Sequence, residues 1–434
     1  MVLVNLFLGI ENFTLMSKNI IVKNTISLLI LQGSLYIVPL IILPYLVRVL
    51  GIETFGLLAF ATATISFFRG VVEYGFNLSA TKEIADNKNN AEKISELFSS
   101  VLISKFLLSI FCLLILSILV ISFDIFLRNW ELFFISFLII FGDLLFPLWF
   151  FQGIENMKMI TYLQITYKAI FVLLVLLFVN SKDDFLLVPL IDSLGAVIIG
   201  FFSIYYIKQK YNLKFVLVKQ NIIFKQLKDG WHIFLSRITV ILYTSLNTFV
   251  LGLMTNNELV GIYSIAEKIY MAIRGLLNPF VQAIFPYLVR KYKENKIEYL
   301  ITSKRISIGY AITLIVFSIG TYIFSDYLFY LISGKYNIDG QEILKIFAIS
   351  IIFAIGPLFS NLLIIEGRSK ILTKITFICM LVNLIFIYPL IYKFNIYGLT
   401  YLFLTVQFVQ LILQLNYNKE IFTIKSEKRV KINE

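Results

Sequence analysis

Twelve runs of about 20 mostly apolar residues constrain this chain more than anything else in its sequence. They fall at roughly 25–47, 54–77, 97–122, 130–151, 159–179, 184–207, 231–254, 260–288, 306–325, 343–366, 371–392 and 396–417. About 20 apolar residues in a helix cross about 30 Å of hydrocarbon. A membrane barrel would instead show strands of about ten alternating residues. The expected fold is therefore an all-α integral membrane protein of about 12 transmembrane helices. Composition agrees, since charged residues are only 15% of the chain and mean hydropathy is +0.87, against about 25% charge in a soluble domain.

Basic residues set the expected orientation. With the N-terminus inside, the inner segments hold 26 of the 38 Lys and Arg and the outer segments six. That asymmetry places both termini in the cytoplasm of a multi-pass protein. The net charge of +12 is then met by anionic membrane lipids at the inner leaflet, and no nucleic acid partner is expected. Cys112, Cys379 and the single His232 form no ligand set, so no metal site and no cofactor is expected. Residues 1–15 carry an apolar patch, MVLVNLFLGI, without a basic leader or a small-residue cleavage site. A signal peptide is not expected there, and Met16 is an alternative translation start.

One segment is used twice, at an offset of 205 residues. Glu53, Gly56, Ala61 and Arg69-Gly70 are repeated as Glu258, Gly261, Ala266 and Arg274-Gly275. In the same register Lys23-Asn24 faces Lys228-Asp229, and Gln32 faces Arg237. Internal repeats of membrane helices are a common way to build a transporter. The expected layout is a cytoplasmic N-terminus at 1–24 and a six-helix bundle at 25–207. A cytoplasmic linker at 208–230, a second six-helix bundle at 231–417 and a cytoplasmic tail at 418–434 follow. The Lys-rich linker, interleaved with Phe, Val and Ile, suits an interfacial segment.

Ionisable residues at membrane depth are costly and mark structural pairs or transport paths. Arg69 and Glu73 stand four apart on one helical face, where a pair is expected. Asp143 has no base within a turn of its own helix, so it needs a partner on another helix or a proton. Lys168 and Asp192 suit a cross-helix pair. Lys105 is expected to snorkel to the inner interface without a role. Arg237 sits near the inner end of its run, and Glu267 and Arg274 share a face seven residues apart. Pro39 and Pro44 are expected to bend the first run in its outer half. Together these residues suggest a shared, slightly cationic cavity. Asp143, Glu73, Asp192 and Glu267 are the candidates for coupling transport to an ion. No nucleotide-binding glycine loop and no metalloprotease signature is present, so neither ATP hydrolysis nor other catalysis is expected.

Three stretches carry a resemblance to a known family: MSKNIIVKNTISLL, LPYLVRVLGIETFGLLAFA with YGFNLSATKEIA, and PLWFFQGIENMKMI. With them the chain resembles the O-antigen flippases, the Wzx family of the multidrug/oligosaccharidyl-lipid/polysaccharide exporter superfamily. The resemblance implies a MATE-like fold of two six-helix bundles in a V, around a charged cavity open to each side in turn. It implies an undecaprenyl-pyrophosphate-linked oligosaccharide as cargo, moved to the periplasmic leaflet of the bacterial inner membrane for lipopolysaccharide biosynthesis. It also points to an O-antigen polymerase and a chain-length regulator as partners. The family's cavity cations, which hold the anionic group, fall here on Arg48, Arg69, Lys168, Arg237 and Arg274.

The specific expectation is that Arg69 and Arg274, as repeat-related guanidinium groups, grip the pyrophosphate bidentately. A capsular or teichuronic polysaccharide exporter is the near alternative. A drug/cation antiporter calls for an anionic cavity, and a polymerase or ligase for a large outer loop bearing arginines. A scaffold of the assembly complex would leave the costly buried charges without purpose.

Overall fold

In the computed structural model the described residues are 15–423, with side chains described from Pro39 to Phe422 apart from 229, 236 and 243. The apolar patch at residues 1–14 lies outside what is described, as do the side chains of Met16, the alternative start, and of the repeat positions Lys23-Asn24, Gln32 and Asp229. So does the tail beyond residue 423. Among the described residues there are helices and no strands.

The long elements run in order as α1 Leu15–Glu73, α2 Phe76–Asp86, α3 Ala91–Ser122, α4 Trp130–Leu145, α5 Leu148–Gly153, α6 Met157–Phe178 and α7 Leu187–Tyr211. They continue as α8 Gln220–Thr244, α9 Leu246–Met254, α10 Asn257–Glu294, α11 Lys296–Ile323, α12 Ser325–Ser333, α13 Ile338–Ser350, α14 Gly356–Ile365 and α15 Ser369–Tyr417. Nine helices among the described residues are long and apolar enough to cross a bilayer, or ten if the bent pair Gly230–Leu242 and Leu246–Met254 is one span. The twelve expected runs differ from ten because α1 and α15 each hold two of them. The 49 residues of α15 at about 1.5 Å each exceed twice the hydrocarbon thickness. Each of these helices also breaks at a single non-helical residue, Gly51 in α1 and Asn395 in α15. The expected bend at Pro39 and Pro44 is not where α1 breaks: the helix continues through both prolines to Gly51.

By internal contacts the chain divides into two compact units, one at Lys23–Ser264 and a second beginning at Ile265. In the first unit, aromatic packing locks two of the motif stretches together. Trp149, Phe150 and Phe151 of α5 are fully buried against Phe76, Ala80 and Ile84 of α2. Thr81 donates its hydroxyl hydrogen to the Trp149 carbonyl at 3.1 Å. Burying one large aromatic contributes about 1.5–3 kcal/mol, which is enough to fix α2 on α5. The chain reaches α2 by a sharp break after Glu73, where Tyr74 and Gly75 have φ of 45° and 83°.

The 205-residue echo has a structural counterpart inside this unit. A Cβ placed on Gly56 would lie 1.8 Å from the Asn257 carbonyl oxygen, and one on Gly261 would lie 2.1 Å from the Ile52 carbonyl oxygen. Ile52 and Asn257 are themselves one offset apart, as are Gly56 and Gly261. The contact is thus reciprocal, with each copy's glycine accepting the other copy's backbone. Only glycine permits such an approach.

In the second unit α11 packs on α13, and α13 and α14 pack on α15. Tyr299, Phe347 and Leu399 lie fully buried there.

Candidate functional site

A cavity of about 420 Å³ opens within the first unit, lined by residues between Ser66 and Ser245. It is unusual in an apolar chain because five ionisable side chains converge on it: Arg69, Glu73, Lys105, Asp143 and Arg237. Ser66, Asn77, Gln164 and Ser245 add uncharged polar groups.

Arg69 and Asp143 are its centre. The Arg69 Nε donates to Asp143 Oδ2 at 2.6 Å and Nη2 donates to Oδ1 at 3.1 Å. This is the fork-to-fork geometry that makes guanidinium–carboxylate pairs strong and directional. The side chains remain 44% and 39% exposed, so the pair faces the cavity rather than packed core. The expected Arg69–Glu73 pair is therefore replaced. A neighbour four residues along one helix offers Arg69 poorer geometry than a carboxylate projecting from α4, which can meet both donors of the fork. Glu73 instead accepts from the Asn77 amide and lies 3.6 Å from the Arg237 guanidinium of α8.

Lys105 is the residue that sequence reasoning misplaced. It does not snorkel: it is 4% exposed and its Nζ donates to the Asp143 main-chain carbonyl at 3.0 Å. Its position 14 residues into α3 puts it about 21 Å along the helix, beside the α4 carbonyl that its ammonium meets. The acceptor is equally explicable. In a helix the Asp143 carbonyl would accept from the N–H of residue 147, but that residue is Pro147 and has no N–H. Two sequence signals could have found Lys105: the carbonyl orphaned by Pro147, and the buried serine stripe Ser95, Ser99, Ser100, Ser104 and Ser109 on α3, which marks a face packed on protein.

Lys168 and Asp192 form the cross-helix pair, with Nζ 3.0 Å from Oδ1. The Tyr167 hydroxyl also donates to Asp192, and the Lys168 ammonium lies 4.5 Å from the Tyr167 ring centroid. Asp192 lines a separate small cavity of about 120 Å³ with Thr62 and Ser136, and Arg69 borders both cavities. The ionisable residues expected to share one cavity thus line more than one cavity within this unit, with Arg69 in both of these walls. Removing one member of the pair should leave a half-buried charge with too few partners, a loss of about 1–3 kcal/mol. Lys168→Met is expected to lower the apparent Tm of the purified protein, and adding Asp192→Asn to recover part of that loss.

The remaining candidates lie elsewhere. Arg48 is exposed on α1 and does not line the cavity. Glu267 and Arg274 belong to α10 within the second unit, where Arg274 lies near Tyr270 and Tyr310. Among the described residues no group of His, Cys, Asp and Glu could hold a metal ion.

The polysaccharide biosynthesis protein family matches this chain over residues 21–292, a stretch that contains the whole cavity. The chain belongs to that family. A "Putative O-antigen transporter" of Shigella dysenteriae is 32% identical over 369 residues, covering 84% of this chain and 91% of that protein. Among solved structures, an inward-facing multidrug resistance MATE family transporter of the MOP superfamily matches with a TM-score of 0.69 at 16% identity, over 90% of this chain and 94% of that one. The lipid II flippase MurJ in an inward closed conformation matches with a TM-score of 0.59 at 14% identity, over 84% and 87%. At such identities the two structures establish a MATE-like, MOP-type fold, as the resemblance implied. This member of the polysaccharide biosynthesis family is a multi-pass membrane protein whose relatives are transporters.

Proposed function

We propose that the chain flips an undecaprenyl-pyrophosphate-linked O-antigen repeat unit from the cytoplasmic to the periplasmic leaflet of the bacterial inner membrane, by alternating access. The observation that carries this reading is the cavity's charge: three cations, Arg69, Lys105 and Arg237, face two carboxylates, Asp143 and Glu73. Each carboxylate already pairs with an arginine, so the cavity favours an anion and suits a cationic drug poorly. That balance supports a polysaccharide exporter over a drug antiporter. The relatives described as O-antigen transporters support the same choice of cargo.

The pyrophosphate and Asp143 compete for one guanidinium. With no cargo Arg69 rests on Asp143; with cargo present it turns its two donors to phosphate oxygens, whose greater charge and matching geometry favour the exchange. Asp143, which shares the guanidinium with the cargo, and Glu73 beside Arg237 are the candidates for coupling loading to an ion. The polyprenyl tail stays in lipid, and no covalent step is needed.

The test is complementation. Deleting the gene in its native host should remove the O-antigen ladder from a lipopolysaccharide gel, and supplying the wild-type gene should restore it. Lipid-linked single repeat units should accumulate on the inner leaflet of the deletion strain. An unchanged ladder sinks the O-antigen assignment. Single capped units at the surface would assign the chain to polymerisation instead.

A further inference from the structure

The first unit has a second concavity whose chemistry is the reverse of the first. It is an apolar groove of about 370 Å³, walled by Leu102 and Phe106 of α3, Leu144 and Leu145 of α4, and Ile204 of α7. The only charged residues in its lining are Lys208 and Lys214. No carboxylate pairs with either ammonium among the described residues.

The rim is built, not frayed. Helix α7 stops at Asn212 in the left-handed conformation, with φ of 50°, and the chain continues as a non-helical strap to Lys219. Two buried serines of α3 pin that strap. The Lys214 N–H donates to the Ser95 hydroxyl oxygen at 3.3 Å, and the Val216 N–H donates to the Ser99 hydroxyl oxygen at 2.9 Å. Leu213 turns inward while Leu217 is left 90% exposed. An apolar side chain so exposed beside lysines is at home where headgroups meet acyl chains.

We propose that this groove seats one acyl chain of an anionic phospholipid, with the lipid phosphate held between Lys208 and Lys214. The apolar walls take the chain and the two ammonium groups take the charge, an arrangement that a zwitterionic lipid satisfies less well. The Lys-rich strap belongs to the anionic inner leaflet by the positive-inside distribution, where such lipids are concentrated. The strap also leads into α8, which carries Arg237 to the polar cavity, so a lipid bound here fastens the connection to that helix.

The experiment is native mass spectrometry of the full chain in detergent with dioleoylphosphatidylglycerol or dioleoylphosphatidylcholine. The phosphatidylglycerol adduct should dominate, by up to about fivefold per lysine. Lys208→Gln with Lys214→Gln should bring the two lipids to parity. Both residues are exposed, so this variant leaves the fold intact. Ile103→Trp, which fills the groove, should reduce both adducts. Equal retention of the two lipids by the wild type overturns the proposal, as does a preference that survives both variants. Undecaprenyl phosphate displacing phosphatidylglycerol when the two are mixed at equal concentration would overturn it too, by assigning the groove to the carrier lipid. None of these readouts depends on the cargo, so the flippase reading can fail while this one stands, and the reverse.

Discussion

Arg69→Ala is expected to abolish the O-antigen ladder in the complemented deletion strain at normal protein level, and Arg69→Lys to restore it only in part. A lysine keeps the charge but offers a point contact in place of two parallel donors. Losing a charged, bidentate contact with the cargo costs about 1.5–3 kcal/mol, or roughly a 10- to 150-fold loss of affinity. The structural role of the Arg69–Asp143 pair must be separated from a role in transport. Exchanging the partners, Arg69→Asp with Asp143→Arg, keeps an ion pair but moves the guanidinium to the opposite wall. Recovery of protein level without recovery of the ladder is the expected result. If Arg69→Ala leaves the ladder intact at normal protein level, Arg69 does not carry the anion.

The second large effect concerns folding. Gly56→Val and Gly261→Val should each cost at least about 3 kcal/mol, the upper range for forcing extra atoms into a packed contact. In both, the first added carbon already lies within 2.1 Å of a carbonyl oxygen of the facing segment. Backbone on both sides leaves no rotamer to relieve the clash. Little monodisperse protein should survive size-exclusion chromatography. Gly309→Ala in α11, where a Cβ would meet nothing within 4 Å, is the control and should behave as wild type. Normal yield and Tm for Gly56→Val would show that the approach of the two segments is looser than these distances.

Much of this architecture was legible in the sequence because a bilayer imposes a length on every crossing helix, and an apolar run reports that length directly. What the runs could not report was continuity: nothing in the hydropathy says that one helix passes through Pro39 and Pro44 and breaks at Gly51. The ionisable residues at the cavity were also visible as exceptions in an apolar chain. Their pairing was not, because hydropathy and helical spacing describe one helix at a time. Arg69 shares a face with Glu73 on α1, yet its partner comes from α4, and only packing decides between them. Lys105 was misjudged for a related reason. Its long stem allows an interface position in general, and its actual depth is set by where α3 begins and by which carbonyl Pro147 leaves open.

The reciprocal contact of Gly56 and Gly261 also bears on ancestry. When two copies of a segment touch through the same residues in each, the contact is self-complementary, the kind through which identical subunits pair about a two-fold axis. A single, unduplicated ancestor would have met a second copy of itself on this surface, so gene fusion would have tied together partners that already recognised one another. Divergence after such a fusion would have been free to place Arg69 beside Asp143 in one copy and Arg274 near Tyr270 in the other. It would not have been free at the two glycines, since a side chain gained by either copy would push the other away.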